Sequence, residues 1–197
     1  THADKTDLFI ALDYPLNESQ GEGYSKIKEY LDEITGFMTI TIIRREKNYG
    51  ARNNIQDARE KIFHKYDKII LSEDDNEFSP NFLEFINAGL EKYDNCENIF
   101  AICGYNYPIK IPKSYKYDIY FAQAYSAWGV GYWKHKWKSI DWDINNLKSY
   151  MNVDRNRKFL KKNSGSTYRL SLNTIRTGKL FGDAIVTYNM IKNGHYC

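Results

Sequence analysis

Cysteine is scarce. Cys96, Cys103 and Cys197 are the only three among 197 residues, an odd number with no metal-ligand spacing, which excludes a disulfide framework and points to a reducing, cytoplasmic compartment. No apolar run approaches the ~18 residues of a transmembrane helix, and no secretory signal opens the sequence. Peripheral association with a membrane surface stays open. A phosphate loop of the G-x-x-x-x-G-K-[ST] type is also missing, which ranks last an ATPase reading of the apolar strand and acids at residues 66–75. Net charge is only +3, from 28 Lys+Arg against 25 Asp+Glu, without the concentrated basic stripe of a nucleic-acid binder. The densest cluster, Arg44-Arg45-Glu46-Lys47, reads about equally as a solvated strand end and as a phosphate site.

Aromatic side chains are abundant, at 16% with 17 Tyr. Flat rings with a hydroxyl at the edge suit sugars and wet interfaces, and a Tyr-, Lys-, Asn- and Ile-rich proteome explains them as well. The length fits a single domain with a real core. A first residue Thr1 and a stop at Cys197 directly after a helical pattern lead us to expect a piece of a longer protein.

Periodicity gives an alternating order. Residues 7–13 read as a buried strand ending in Asp13, 24–34 as a helix with Ile27, Tyr30, Leu31 and Ile34 on one face, and 38–43 as a β-branched strand. A turn at 48–50 leads to a helix over 52–65 lined by Ile55, Ala58, Ile62 and Phe63. A strand over 66–72 runs into Glu73-Asp74-Asp75. Ser79-Pro80 then predicts an N-cap and a proline at the first helical position, and 98–103 reads as another strand. Such alternation implies a mostly parallel sheet flanked by helices, whose ligands sit beyond the carboxyl ends of the strands. Asp13 and residues 73–75 both occupy such ends. Beyond residue 110 the pattern loosens: 117–124 reads as extended, 126–133 as a glycine-spaced aromatic turn, 134–139 as a short helix, and helices follow at 143–151, 153–162, 169–177 and 183–193.

Three consecutive acids after an apolar strand repel one another unless a cation or hydrogen-bond donors offset them. Mg²⁺ or Mn²⁺ takes oxygen ligands, usually one or two carboxylates plus substrate phosphates. An acidic turn before the next helix is the plainer alternative.

The stretch IILSEDDNEFSPNFLEF, residues 69–85, resembles the metal-binding segment of GT-A-fold glycosyltransferases. It is most similar to the N-acetylglucosaminyltransferase I-like branch, where a strand, Glu-Asp-Asp and an "SP-x-F" helix start recur in this order. The resemblance extends from Asp7 to Tyr196. It implies a GT-A, Rossmann-like sheet in one domain, with residues up to about 110 forming the nucleotide-sugar half and the rest the acceptor side. It also implies Asp75 on the metal, Asp74 and Glu73 on the donor's ribose and sugar, and Asp13 reading the base; a loop-initiating aspartate is the alternative for Asp13. The segment NYGARNN, residues 48–54, is similar to a nucleotide-approaching stretch and brings in Arg52 and Asn53, although a plain turn reads as well.

SAWGVGYW, residues 126–133, is similar to the "SxWGxGxW" stretch of bacterial family-2-like transferases, which lines the donor-sugar and acceptor site and implicates Trp128 and Gly129. A tight turn with its tryptophans in the core is the competing reading. Phe181-Gly182-Asp183 resembles the family's late "W-D" element and makes Asp183 the catalytic base, with a helix cap as the other option. His195 reads as a turn residue before it reads as a ligand. The family's opening strand and base-gripping loop, and its acceptor-side tail, have no counterpart in these residues. The expectation is a metal-dependent inverting enzyme of polysaccharide biosynthesis, a hexosyltransferase moving a sugar from a UDP-linked donor to a glycan hydroxyl. The alternative is a non-catalytic nucleotide-sugar- or carbohydrate-binding module.

Overall fold

Apolar residues following Asp7 form the first strand, β1 (Asp7–Leu12), in the computed structural model, which describes residues 2–197. The β-branched run behind it forms β2 (Thr39–Arg44). The two pair in parallel from Asp7 opposite Thr39 to Leu12 opposite Arg44. Between them lies α1 (Gly21–Glu33), and after them α2 (Ala51–Phe63), which packs on β1. On α1 only Leu31 is buried. Ile27 and Tyr30, expected on its core face, are exposed. These elements make up one compact unit, ending at Tyr66; Asp67–Cys197 make up a second.

The first unit is held largely by polar ties. Arg45 is buried, with Nε donating to Asn54 Oδ1 at 2.7 Å, Nη2 to Asn54 O at 3.1 Å, and Nη1 to Asp57 Oδ2 at 2.5 Å. Asn54 Nδ2 in turn donates to Ala11 O at 2.8 Å, locking α2 to β1. A buried guanidinium needs every one of these acceptors, because desolvating it unpaired is costly.

In the second unit β3 (Lys68–Leu71), α3 (Phe82–Lys92) and β4 (Ala101–Cys103) follow in the expected order. They do not form a parallel pair, because β5 (Val130–Trp133) lies antiparallel between β3 and β4. The α/β class therefore holds, with one correction. Instead of a mostly parallel sheet there is one parallel ladder in the first unit and an antiparallel three-stranded sheet in the second. Residues 130–133, read as part of a turn, are the central strand. The glycine that suggested a turn is required by packing: a Cβ on Gly131 would lie 2.4 Å from Ile86 Cγ2.

Phe82, Ile86 and Leu90 of α3 press on this sheet with Ile99, Ile102 and Trp133. The start of α3 is also corrected. Ser79 is not its cap; Phe82 N donates to Ser79 O at 3.0 Å in a turn, and the helix begins two residues after Pro80. Residues 117–124 form no strand, and only Ala122 pairs, through two backbone bonds with Cys197 at 2.9 and 3.1 Å. Tyr196 lies alongside Ile99 in a parallel bridge.

After the short α4 (Lys134–Lys138), helices α5 (Ile144–Asn152), α6 (Asp154–Asn163), α7 (Thr167–Thr177) and α8 (Gly182–Asn193) complete the unit. Ala184 to Ile191 are all buried, because α5, α6 and α7 pack around α8. Its polar groups are spent inside: Thr187 Oγ1 accepts the Tyr125 amide at 3.2 Å, and Asn189 exchanges two bonds with the Asp141 backbone. A helix buried on all faces tolerates such residues only when they are paired. Lys136 is likewise buried. Its Nζ donates to Cys96 O at 2.5 Å and to Ile99 O and stands over the Trp133 ring, and burial holds its pKa below the usual lysine range.

Candidate functional site

The acidic triplet lies just past β3 in a tight turn. Asn76 Oδ1 accepts the Glu73 amide at 3.2 Å, and Ser72 Oγ donates to Glu73 O at 2.8 Å. Glu73, Asp74 and Asp75 are all exposed. A long 3.4 Å contact from Asn76 Nδ2 is the bond to Asp75 Oδ1, and no basic side chain pairs with the triplet among the described residues. Three acids are thus presented without protein counter-charge.

Asp183 occupies the first turn of α8, after Gly182. It does not cap the helix: the cap is Phe181, which makes no side-chain bond. The backbone of Ala127, in the segment that leads into β5, lies near enough to the Asp183 carboxylate to favour its charged form. Burial raises the Asp183 pKa, the Ala127 backbone partly offsets this, and the charge of Glu73 raises it further, to about 6. Glu73 and Asp183 therefore lie at one edge of the second unit.

The same segment carries Trp128 and Gly129. Trp128 is 50% exposed, whereas Trp133 and Trp137 are buried, so only the first offers a ring to a ligand. Tyr105 meets it edge-on at 4.8 Å, holding the indole while leaving area free. Gly129 has φ 78°, and a Cβ there would lie 2.6 Å from Phe78 and 2.8 Å from Phe82, whose rings stack at 4.0 Å. Packing and the left-handed backbone together account for the glycine. Its carbonyl accepts Gly104 N at 2.7 Å.

Tyr107 was not legible as a site residue. Its Oη donates to Tyr125 O at 2.9 Å. Burial first, then the fields of Cys103, Asp183 and Cys197, push its phenol well above the usual tyrosine range. One more Tyr among 17 carries no pattern, so no sequence signal marked it.

In the first unit Asp13 Oδ1 accepts the amides of Tyr14 at 2.9 Å and Tyr49 at 2.8 Å, tying the loop after β1 to the turn before α2. Asn48 Nδ2 reinforces that tie with a 2.6 Å bond to Tyr14 O. Arg52 is exposed in the first turn of α2, and Asn53 Nδ2 donates to Tyr49 O at 3.1 Å. His195 is stacked on Phe100, and burial, with Lys136 nearby, lowers its pKa.

No family model, curated protein or solved structure matches this chain. The reading of its chemistry therefore rests on the residues themselves.

Among the described residues no three His, Cys, Asp or Glu side chains converge as a ready metal cage. Mg²⁺ and Mn²⁺ do not require one, since water and phosphate oxygens fill most of their shell. An exposed Asp75, bound only by one long amide contact, fits a single-carboxylate role of that kind.

Proposed function

We propose that the chain is a metal-dependent inverting glycosyltransferase of GT-A type, using a nucleoside-diphosphate sugar, UDP-linked, and a glycan hydroxyl as acceptor. The observation that carries this reading is the pairing of a half-buried Asp183, whose pKa burial lifts to about 6, with the exposed Glu73 at the same edge. A carboxylate raised that far is still mostly ionised at neutral pH, yet it is a stronger base than an ordinary aspartate.

Asp183 takes the proton of the acceptor hydroxyl as its oxygen bonds to the anomeric carbon, and the bond from that carbon to the diphosphate breaks. Trp128 offers a face for a sugar ring, and Glu73 and Asp74 offer acceptors for sugar hydroxyls. Asp75 is the residue that would hold Mg²⁺ or Mn²⁺, which neutralises charge on a departing diphosphate when bound.

Thermal-shift measurement with nucleotide sugars, with and without Mn²⁺, tests the reading. Stabilisation that needs both donor and ion is the expected result, and no response to any nucleotide sugar would refute it. Donor binding without transfer in a full-length protein would instead fit a non-catalytic binding module.

A further inference from the structure

Between β4 and β5, residues 104–129 contain neither helix nor strand. A stretch of that length inside a compact unit is usually a working surface. Its middle closes on itself as an Ω-type loop. Tyr120 Oη donates to Asn106 Oδ1 at 2.7 Å across the neck, and Tyr115 Oη donates to Ile119 O at 2.6 Å. The Tyr107 bond to Tyr125 O pins the neck to the rest of the unit.

The tip bears side chains that a solvated loop does not need. Ile109, Ile111 and Tyr117 are 53%, 46% and 76% exposed. Lys110, Lys113 and Lys116 alternate with them and are exposed too. Asp118 is the one acid in residues 104–129, and none of these lysines meets a carboxylate among the described residues. Pro108 and Pro112 lack amide donors, so the tip is ill suited to adding a strand to another protein's sheet. Aliphatic side chains are equally out of place on a sugar-stacking surface, which uses flat rings. Isoleucine, tyrosine and interleaved lysine suit the boundary of a bilayer, where apolar groups enter the acyl edge and ammonium groups meet lipid phosphates.

We propose that this loop docks the chain on an anionic lipid surface, with Ile109 and Ile111 entering the interface and Lys110, Lys113 and Lys116 on the headgroups. The loop alone carries this inference, independently of the transferase chemistry. Attachment of this kind is reversible and weakens as salt screens the lysines.

The test is sedimentation of the whole chain with phosphatidylcholine vesicles, with and without phosphatidylglycerol. Retention on the anionic vesicles alone, lost at high salt, is expected. Replacing the three lysines by serine should weaken it by on the order of 100-fold, and Ile109→Ser with Ile111→Ser should weaken it even at low salt. All five side chains are exposed, so thermal melts should not change, and the salt series on the unaltered protein needs no variant. Equal retention on both vesicle types, no retention on either, or retention indifferent to the lysines would overturn the proposal. Capture by an acidic polysaccharide without vesicle binding would also overturn it, in favour of a glycan-docking loop.

Discussion

The carboxylate of Asp183 lies in the field of Glu73, although one opens the last helix and the other follows β3. Two such acids resist being ionised together. Burial is the larger cause of the raised Asp183 pKa, and the nearby Glu73 carboxylate adds to it.

The pH dependence of stability follows directly. Asp183 moves from an ordinary value of 3.8 to about 6 in the fold, so its ionised form is the disfavoured one. The penalty is absent below the lower value, grows as pH rises between the two, and above the upper one is fully present, on the order of 3 kcal/mol. Asp183→Asn should therefore gain stability relative to the native chain on going from pH 3.5 to about pH 7, as read by urea melts at both. An equal difference at the two pH values would mean that the carboxylate is not desolvated.

The same shift sets a kinetic expectation for the proposed reaction. kcat/KM should fall as pH drops through about 6, with the slope of one proton. Asp183→Asn should abolish that limb and lower the rate by about 10²–10⁴-fold. A variant with native turnover would remove Asp183 from the chemistry.

Asp75→Ala should abolish the Mn²⁺-dependent part of nucleotide-sugar binding in calorimetry while leaving the melting temperature unchanged. The side chain is exposed and contributes only one long contact. Unaltered metal-dependent binding would refute its assignment.

The close approach of α3 to β5 predicts opposite outcomes at two glycines. Gly131→Ala places a Cβ against Ile86 and Leu90 and should cost about 1–3 kcal/mol. Gly23 in α1 has nothing within 4 Å of the corresponding position, so Gly23→Ala should stabilise by about 0.5–1 kcal/mol. Chemical denaturation of the two variants checks both signs.

Asn54 joins Arg45 to Ala11 O. Asn54→Ala leaves a buried guanidinium and a carbonyl short of partners and should destabilise the first unit by about 2 kcal/mol. Proteolysis within residues 2–66 at lower denaturant concentration is the readout.

Helices and the first strands were legible because their signals are local. Apolar spacing placed α2, α5 and α6 within about two residues of their observed starts, and α8, predicted from Asp183, begins at Gly182. The central strand was not legible. VGYW is short, its glycine mimics turn chemistry, and the need for that glycine arises only from Ile86 across the fold. Ser79-Pro80 misled for a related reason, since the residues that favour a helix cap also favour the turn found there. At the candidate site, the triplet was marked by charge after an apolar run and Asp183 by resemblance to a family element, but the Ala127 backbone and Tyr107 were not marked. A backbone group has no sequence signature, and Tyr107 gains its character from burial.

The insertion of β5 between two earlier strands has a consequence for biogenesis. Until residues 130–133 leave the ribosome, β3 and β4 have no partner strand in this sheet and stay exposed to adventitious pairing. Chains terminated upstream of Val130 should accumulate as aggregates.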